Sequence, residues 1–200
     1  MQWDEEPESQ ETTRTEVKNW KFKRGIIGDS MIKQVKPIMG STRLVFRGAK
    51  VLDLLKYRIT DAEEMDAIIL HIGTNDVGAR TEWEIFERRY VDLINAMKRA
   101  APRAIIFLSN ILPRPRDQRI NTWGKYNTII ANLARQPRCA FINGCKAFAW
   151  PNGKPNRELF HNDGLHLNQK GTKLLEEVFA SRTNDKMVGM YKEKYWTLLH

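Results

Sequence analysis

Short apolar runs alternate with longer amphipathic segments along this 200-residue chain, the pattern expected of a parallel sheet with helices packed on it. Strands are expected near residues 25–27, 44–46, 67–72, 104–108 and 139–142. The third, Ala67-Ile-Ile-Leu-His-Ile72, and the fourth, Ala104-Ile-Ile-Phe-Leu108, are almost unbroken in large apolar residues. Strands covered on both faces read this way, so these two belong at the centre of the sheet. Between them Trp83, Phe86, Tyr90, Leu93, Ile94 and Met97 recur mostly at steps of three and four, which predicts an amphipathic helix over 81–100, ending before Pro102. Further helices are expected over 51–57, 121–135 and 171–181, the last with Thr172, Leu175, Val178 and Phe179 as its packing stripe. After Asn184, the residues Met187, Met190, Tyr191, Tyr195, Trp196 and Leu199 suit a final helix, docked on the domain or offered to a partner.

At 42% hydrophobic residues, a chain of this length buries one sizeable core. Residues 18–200 are therefore read as a single domain with an amphipathic tail from about 185, and the acidic, polar residues 1–17 as a disordered leader. No window approaches the apolar length of a membrane span, and Met1-Gln-Trp-Asp-Glu-Glu-Pro lacks both the basic start and the apolar stretch of a secretory signal. The expected location is cytoplasmic. Cys139 and Cys145 have no neighbouring metal-type Cys or His pair, which points away from a zinc site or a disulfide framework and leaves open a single bond between them.

The formal charge of +9 changes this picture by adding a class of partner, because a basic surface attracts polyanions without specific contacts. The cations cluster in residues 18–24, in Arg88 and Arg89, and in residues 98–103 and 114–119. Solvated faces and loop edges account for such clusters in an ordinary domain; non-specific binding of RNA or single-stranded DNA is the functional reading beside it. A lipid surface is a further candidate partner, and the oligomeric state is open.

The chemistry concentrates in loops that would leave the carboxyl ends of the strands, where ligands bind in an open parallel sheet. Gly28-Asp29-Ser30 follows the first strand, Arg47-Gly48-Ala49 the second, and Gly73-Thr-Asn-Asp76 the third; Asp163-Gly-Leu-His166 precedes the last helix. In isolation Ser30 reads equally well as the cap of a helix starting at Met31. The spacing around it is not the G-x-S-x-G of a nucleophile elbow. Taken together, however, these loops supply every role that acyl transfer by serine requires. Ser30 would be the nucleophile, His166 its base and Asp163 the group that orients the base. The backbone N–H groups of Ser30 and Gly48 and the side-chain amide of Asn75 would hold the developing oxyanion. The bland alternatives are an Asx-turn at Asn75 and Asp76 and a plain turn at Asp163 and Gly164. His161 is read as a rim residue rather than a metal ligand, and His71 and Cys139 as core.

These four blocks, in this order over residues 25–172, resemble the SGNH or GDSL-type serine hydrolases, a family named for the serine, glycine, asparagine and histidine that correspond here to Ser30, Gly48, Asn75 and His166. The resemblance implies a three-layer α/β/α, flavodoxin-like fold with about five parallel strands and hydrolysis of esters through an acyl-enzyme, with neither metal nor cofactor. The small size, Ile111-Leu-Pro-Arg-Pro-Arg-Asp117 and the segment 160–172 are similar to compact acetylesterase-like members, including platelet-activating-factor acetylhydrolase subunits. They are also similar to the esterase domain in the first open-reading-frame protein of LINE-type, non-LTR retrotransposons, and the basic body suits that RNA-associated setting. A short-chain esterase is the activity expected; the alternative is a catalytically weak module of the same shape that binds RNA, a lipid surface or a protein through its basic face.

Overall fold

In the computed structural model, which describes residues 20–57, 62–117 and 123–196, the five expected strands form one sheet. The expected leader over 1–17, Leu199 and parts of the segments 18–24, 114–119 and 121–135 lie outside the described residues. The strands are β1 (Arg24–Gly28), β2 (Thr42–Val45), β3 (Ala67–His71), β4 (Ile105–Ser109) and β5 (Cys139–Ile142). All neighbours pair in parallel, in the order β2-β1-β3-β4-β5. The helices are α1 (Val51–Leu54), α2 (Thr74–Gly78), α3 (Trp83–Ala100), α4 (Gly124–Leu133), α5 (Gln169–Arg182) and α6 (Asp185–Trp196).

Successive strand residues point to opposite faces, and both faces are covered, which is why β3 and β4 carry apolar side chains without alternation. Ile68, Leu70, Ile106 and Leu108 pack under α1, α3 and α4, against Val51, Phe86, Tyr90, Ile94 and Ile130. On the other face, Ile69, Ile105, Phe107 and Ile142 pack against Leu175 and Phe179 of α5 and Val188 of α6. The result is the three-layer α/β/α arrangement.

The helices follow their apolar stripes with local adjustments. In α3 the residues Phe86, Tyr90, Leu93, Ile94 and Met97 are buried, Glu84 lies in the first turn and Lys98 and Arg99 in the last, so the charges complement the helix dipole. Trp83 departs from the stripe: it is 43% exposed, and the Lys125 ammonium sits 3.0 Å from its ring centroid. The tail docks on the domain through buried Val188, with Tyr191 and Tyr195 against the core and Tyr195 Oη donating to Cys139 O at 3.1 Å. Arg24 is not part of a surface cluster. Its side chain is buried, with Nε donating to Thr183 O at 2.8 Å and Nη2 2.5 Å from Asp185 Oδ1, so it pins the turn between α5 and α6.

The chain steps from β1 outward to β2 and then back across β1 to β3. The carboxyl ends of β1 and β3 therefore flank the point where the winding reverses, and a crevice opens there. No helix among the described residues is long and apolar enough to cross a membrane.

Candidate active site

The residue that caps the turn after β1 is Asp29. Its Oδ1 accepts from the Met31 N–H at 3.0 Å, its own N–H donates to His71 O at 3.3 Å, and a short 3-10 turn over Ser30–Ile32 follows. Ser30 is thereby relieved of capping. Its Oγ lies 3.1 Å from His166 Nε2.

His166 is held by its own loop. Asp163 Oδ2 lies 2.6 Å from His166 Nδ1, while Asp163 Oδ1 accepts from the backbone N–H groups of Leu165 and His166 at 2.9 and 3.0 Å. The loop is closed at its base by a bridge between Phe160 and Leu167. At its end Asn168 caps α5 by accepting from Gly171 N–H at 3.1 Å, and its Nδ2 donates to Glu158 O at 2.8 Å and Phe160 O at 3.1 Å. Partial burial favours the neutral form of Asp163, but the hydrogen bonds from the His166 side chain and the two amides outweigh it and bring the carboxyl down to about 2. An ionised Asp163 places the proton of the imidazole on Nδ1, which leaves Nε2 as an acceptor facing Ser30 Oγ.

A second set of contacts ties the turn of Asn75 to the turn of Gly48. Asn75, in α2, donates through Nδ2 to Ala49 O at 2.9 Å, one residue past Gly48. The next residue, Asp76, accepts from Val51 N–H at 2.9 Å and from Thr81 Oγ1 at 3.3 Å. Asn75 and Asp76 thus bind the 48–51 turn twice, and Asp76 is a structural partner that the sequence reading passed over as half of an Asx-turn. Gly48 has φ +69, and no protein atom lies within 4 Å of where its Cβ would be. The left-handed backbone, rather than crowding by the protein, selects glycine there. Neither the Ser30 nor the Gly48 N–H has a protein acceptor among the described residues, and the Asn75 amide keeps a second hydrogen beside the one given to Ala49. Of the five residues singled out from the sequence, Ser30, His166 and Asp163 are joined by short contacts, and Gly48 and Asn75 lie in the turns that follow β2 and β3 at the carboxyl edge of the sheet.

Beneath the site Asp29 is 1% exposed. Desolvation pushes its carboxyl up to about 7, against the Met31 N–H hydrogen bond and the nearby backbone amides of Thr74 and Gly73, which favour the charge. His71 is core, as expected: its Nδ1 shares a 2.9 Å hydrogen bond with Ser109 Oγ, its ring meets the edge of Phe179, and burial lowers its pKa to about 4. His161 is exposed at the rim. Cys139 and Cys145 are free thiols, and burial raises both, Cys145 to about 12. Among the described residues no three His, Cys, Asp or Glu side chains are grouped to hold a metal ion.

Residues 13–174 match the model of the GDSL-like Lipase/Acylhydrolase family. Among solved structures, a GDSL-like lipase from Bacteroides thetaiotaomicron shares 17% identity at a TM-score of 0.63, over 80% of this chain and 86% of its own. An acetylxylan esterase from Geobacillus stearothermophilus shares 16% at 0.64, over 85% and 95%. The esterase domain of the ORF1 protein of the zebrafish ZfL2-1 retrotransposon shares 29% over 81% of this chain and 100% of its own, at a TM-score of 0.44 that bears on neither fold nor function. No curated relative matches at the level of sequence.

Proposed function

Because the chain belongs to the GDSL-like lipase/acylhydrolase family and is thus a carboxylic ester hydrolase, we propose that it cleaves short, acetyl-type acyl esters by a serine mechanism centred on Ser30. The observation that carries this reading is the unbroken line from Ser30 Oγ to His166 Nε2 at 3.1 Å and from His166 Nδ1 to Asp163 Oδ2 at 2.6 Å. His166 Nε2 takes the Ser30 proton as Oγ attacks the ester carbonyl, and Asp163 stabilises the imidazolium that forms. The carbonyl oxygen, now an oxyanion, takes hydrogen bonds from Ser30 N–H, Gly48 N–H and Asn75 Nδ2. Collapse of the tetrahedral intermediate breaks the ester C–O bond, and the alcohol leaves with the proton from His166. Water then repeats the sequence on the acyl-Ser30 carbonyl, releasing the acid and restoring the serine.

Preference for a short acyl group is supported by the absence of a long apolar lid sequence beside the four blocks and by their likeness to compact acetylesterase-like members. A fluorophosphonate probe followed by peptide mapping tests the nucleophile, with modification of Ser30 expected and modification of a different serine overturning the assignment. Catalytic efficiency on a p-nitrophenyl acetate to palmitate series tests chain length; equal or higher efficiency on palmitate overturns the acetyl-type preference.

The charge of +9 supports a second, compatible reading in which the domain works within a retrotransposon-encoded, RNA-associated protein and holds RNA or single-stranded DNA through its basic face. Arg24 and Arg114 do not serve that face, since both are buried.

A further inference from the structure

The segment after β4, Ile111-Leu-Pro-Arg-Pro-Arg-Asp117, holds a buried cation to which the chemistry above gives no part. Arg114 is 4% exposed. Its Nη1 donates to Thr74 O, with Thr74 Oγ1 at 3.5 Å, and its Nε lies 2.8 Å from Asp117 Oδ2. Thr74 directly precedes Asn75, so the guanidinium is bonded to the backbone of the turn that presents the side-chain amide. Its far end rests against the same helix, where Nη2 lies 3.4 Å from the position a Cβ would take on Gly78.

The same segment reaches the other half of the site. Two residues beyond Arg114, the Arg116 N–H donates to Gly164 O at 2.9 Å, inside the loop that carries Asp163 and His166. Gly164 has φ +61, and a Cβ there would lie 2.9 Å from Arg116 N, so the two loops meet backbone to backbone with no room for a side chain. Arg157 Nη2 donates to Pro115 O at 3.0 Å and fastens the segment between these two contacts. A cation is costly to bury unless it is paired, and a planar guanidinium can donate to a carbonyl while it stays beside a carboxylate.

We propose that Arg114 is a positioning residue, which sets the separation between the Asn75 amide and His166 by gripping Thr74 O from a segment that is itself bonded to Gly164 O. The inference rests on the serine mechanism above. Those two groups act on opposite ends of one reacting carbonyl, the amide on its oxygen and the imidazole on the attacking serine. A displacement of about 1 Å between them lowers the rate by about a hundredfold. The loss falls on kcat with KM spared, since the oxyanion is bound only as the transition state forms.

The test uses the full chain and p-nitrophenyl acetate, with kcat, KM and thermal midpoint measured for Arg114→Met, Arg114→Lys, Asn75→Ala, the Arg114→Met/Asn75→Ala double variant and Ser30→Ala. Arg114→Met is expected to lose about a hundredfold in kcat with KM within about twofold. In the Asn75→Ala background the same change is expected to cost less than about threefold, because the group it positions is already gone. Arg114→Lys, which keeps one charged donor, recovers part of the loss. A folded Arg114→Met protein with wild-type kcat, or equal losses in the two backgrounds, overturns the proposal, since a residue serving only stability moves the thermal midpoint and not this difference. Should Arg114→Met fail to fold, Arg114→Lys and Asp117→Asn are run through the same cycle and decide on the same criterion. Wild-type turnover in Ser30→Ala takes down the serine mechanism and this inference with it. An inert Ser30→Ala beside an unaffected Arg114→Met overturns the positioning role alone.

Discussion

Asp29 caps the turn after β1, its Oδ1 accepting from the Met31 N–H at 3.0 Å, and the hydroxyl of the neighbouring Ser30 is left to meet His166 at 3.1 Å. The two polar side chains of Gly28-Asp29-Ser30 therefore divide the structural and chemical tasks between them. Ser30→Ala should leave the thermal midpoint close to wild type while reducing turnover by several orders of magnitude, and His166→Ala should do the same. The double variant should be little worse than either single one, because removal of serine or base already disables proton transfer and covalent catalysis together. Ester hydrolysis and thermal unfolding measured on these three variants check this; wild-type activity in a folded Ser30→Ala protein contradicts it.

Asn75→Ala should lower kcat by about a hundred- to a thousandfold, as the loss of one oxyanion donor among three. Gly48→Ala acts on the same oxyanion by another route. At φ +69 an alanine carries about 1–2 kcal/mol of backbone strain, and relief of that strain turns the N–H away from the carbonyl. Both kcat and stability should fall for Gly48→Ala, read by steady-state kinetics and denaturant melts on the same samples.

The buried Asp29 carboxyl gives stability an unusual pH dependence. Its value is about 7 in the folded protein against an ordinary 3.8, so between those limits the folded state keeps a proton that the unfolded chain has released. Stability from this group is present below about 4, falls as pH rises towards 7, and then levels off, the reverse of a salt-bridged carboxylate. Asn at this position keeps the acceptor for Met31 N–H and cannot ionise. The difference in thermal midpoint between Asp29→Asn and wild type should therefore move in favour of the variant from pH 4 to pH 8; a pH-independent difference rules the effect out.

If the basic face holds nucleic acid, binding should be independent of sequence and should weaken steeply with added salt, because it rests on counterion release. Fluorescence anisotropy with labelled RNA and single-stranded DNA at several salt concentrations measures the slope. No retention at low salt removes this function and leaves the exposed cations as solvated surface.

Much of this protein was legible one residue at a time. Unbroken apolar runs at 67–72 and 104–108 mark β3 and β4 as central because strands packed on both faces cannot alternate, and the stripe from Phe86 to Met97 marks α3 because burial of one helix face needs that period. The loops holding Ser30, Gly48, Asn75, Asp163 and His166 were identifiable because acyl transfer demands those residue types and a parallel sheet sends their loops to one edge.

Other features arise only from contacts between segments distant in sequence. Trp83 fits the helical period, yet it sits at the start of α3 beyond the reach of the core and takes Lys125 over its ring instead. Arg24 and Arg114 read as members of basic clusters, yet both are buried, Arg24 bonded to remote Thr183 and Asp185 and Arg114 to remote Thr74. Whether Ser30 caps the turn or acts as the nucleophile was likewise open in the sequence, which did not mark Asp29 as the cap. The folded chain gives the cap to Asp29 and brings His166, 136 residues away, to 3.1 Å from the Ser30 hydroxyl. Local propensity and periodicity act over a few residues and are written in the chain, whereas burial of a charge and assignment of a proton acceptor depend on which remote groups the assembled sheet brings within about 3 Å of one another.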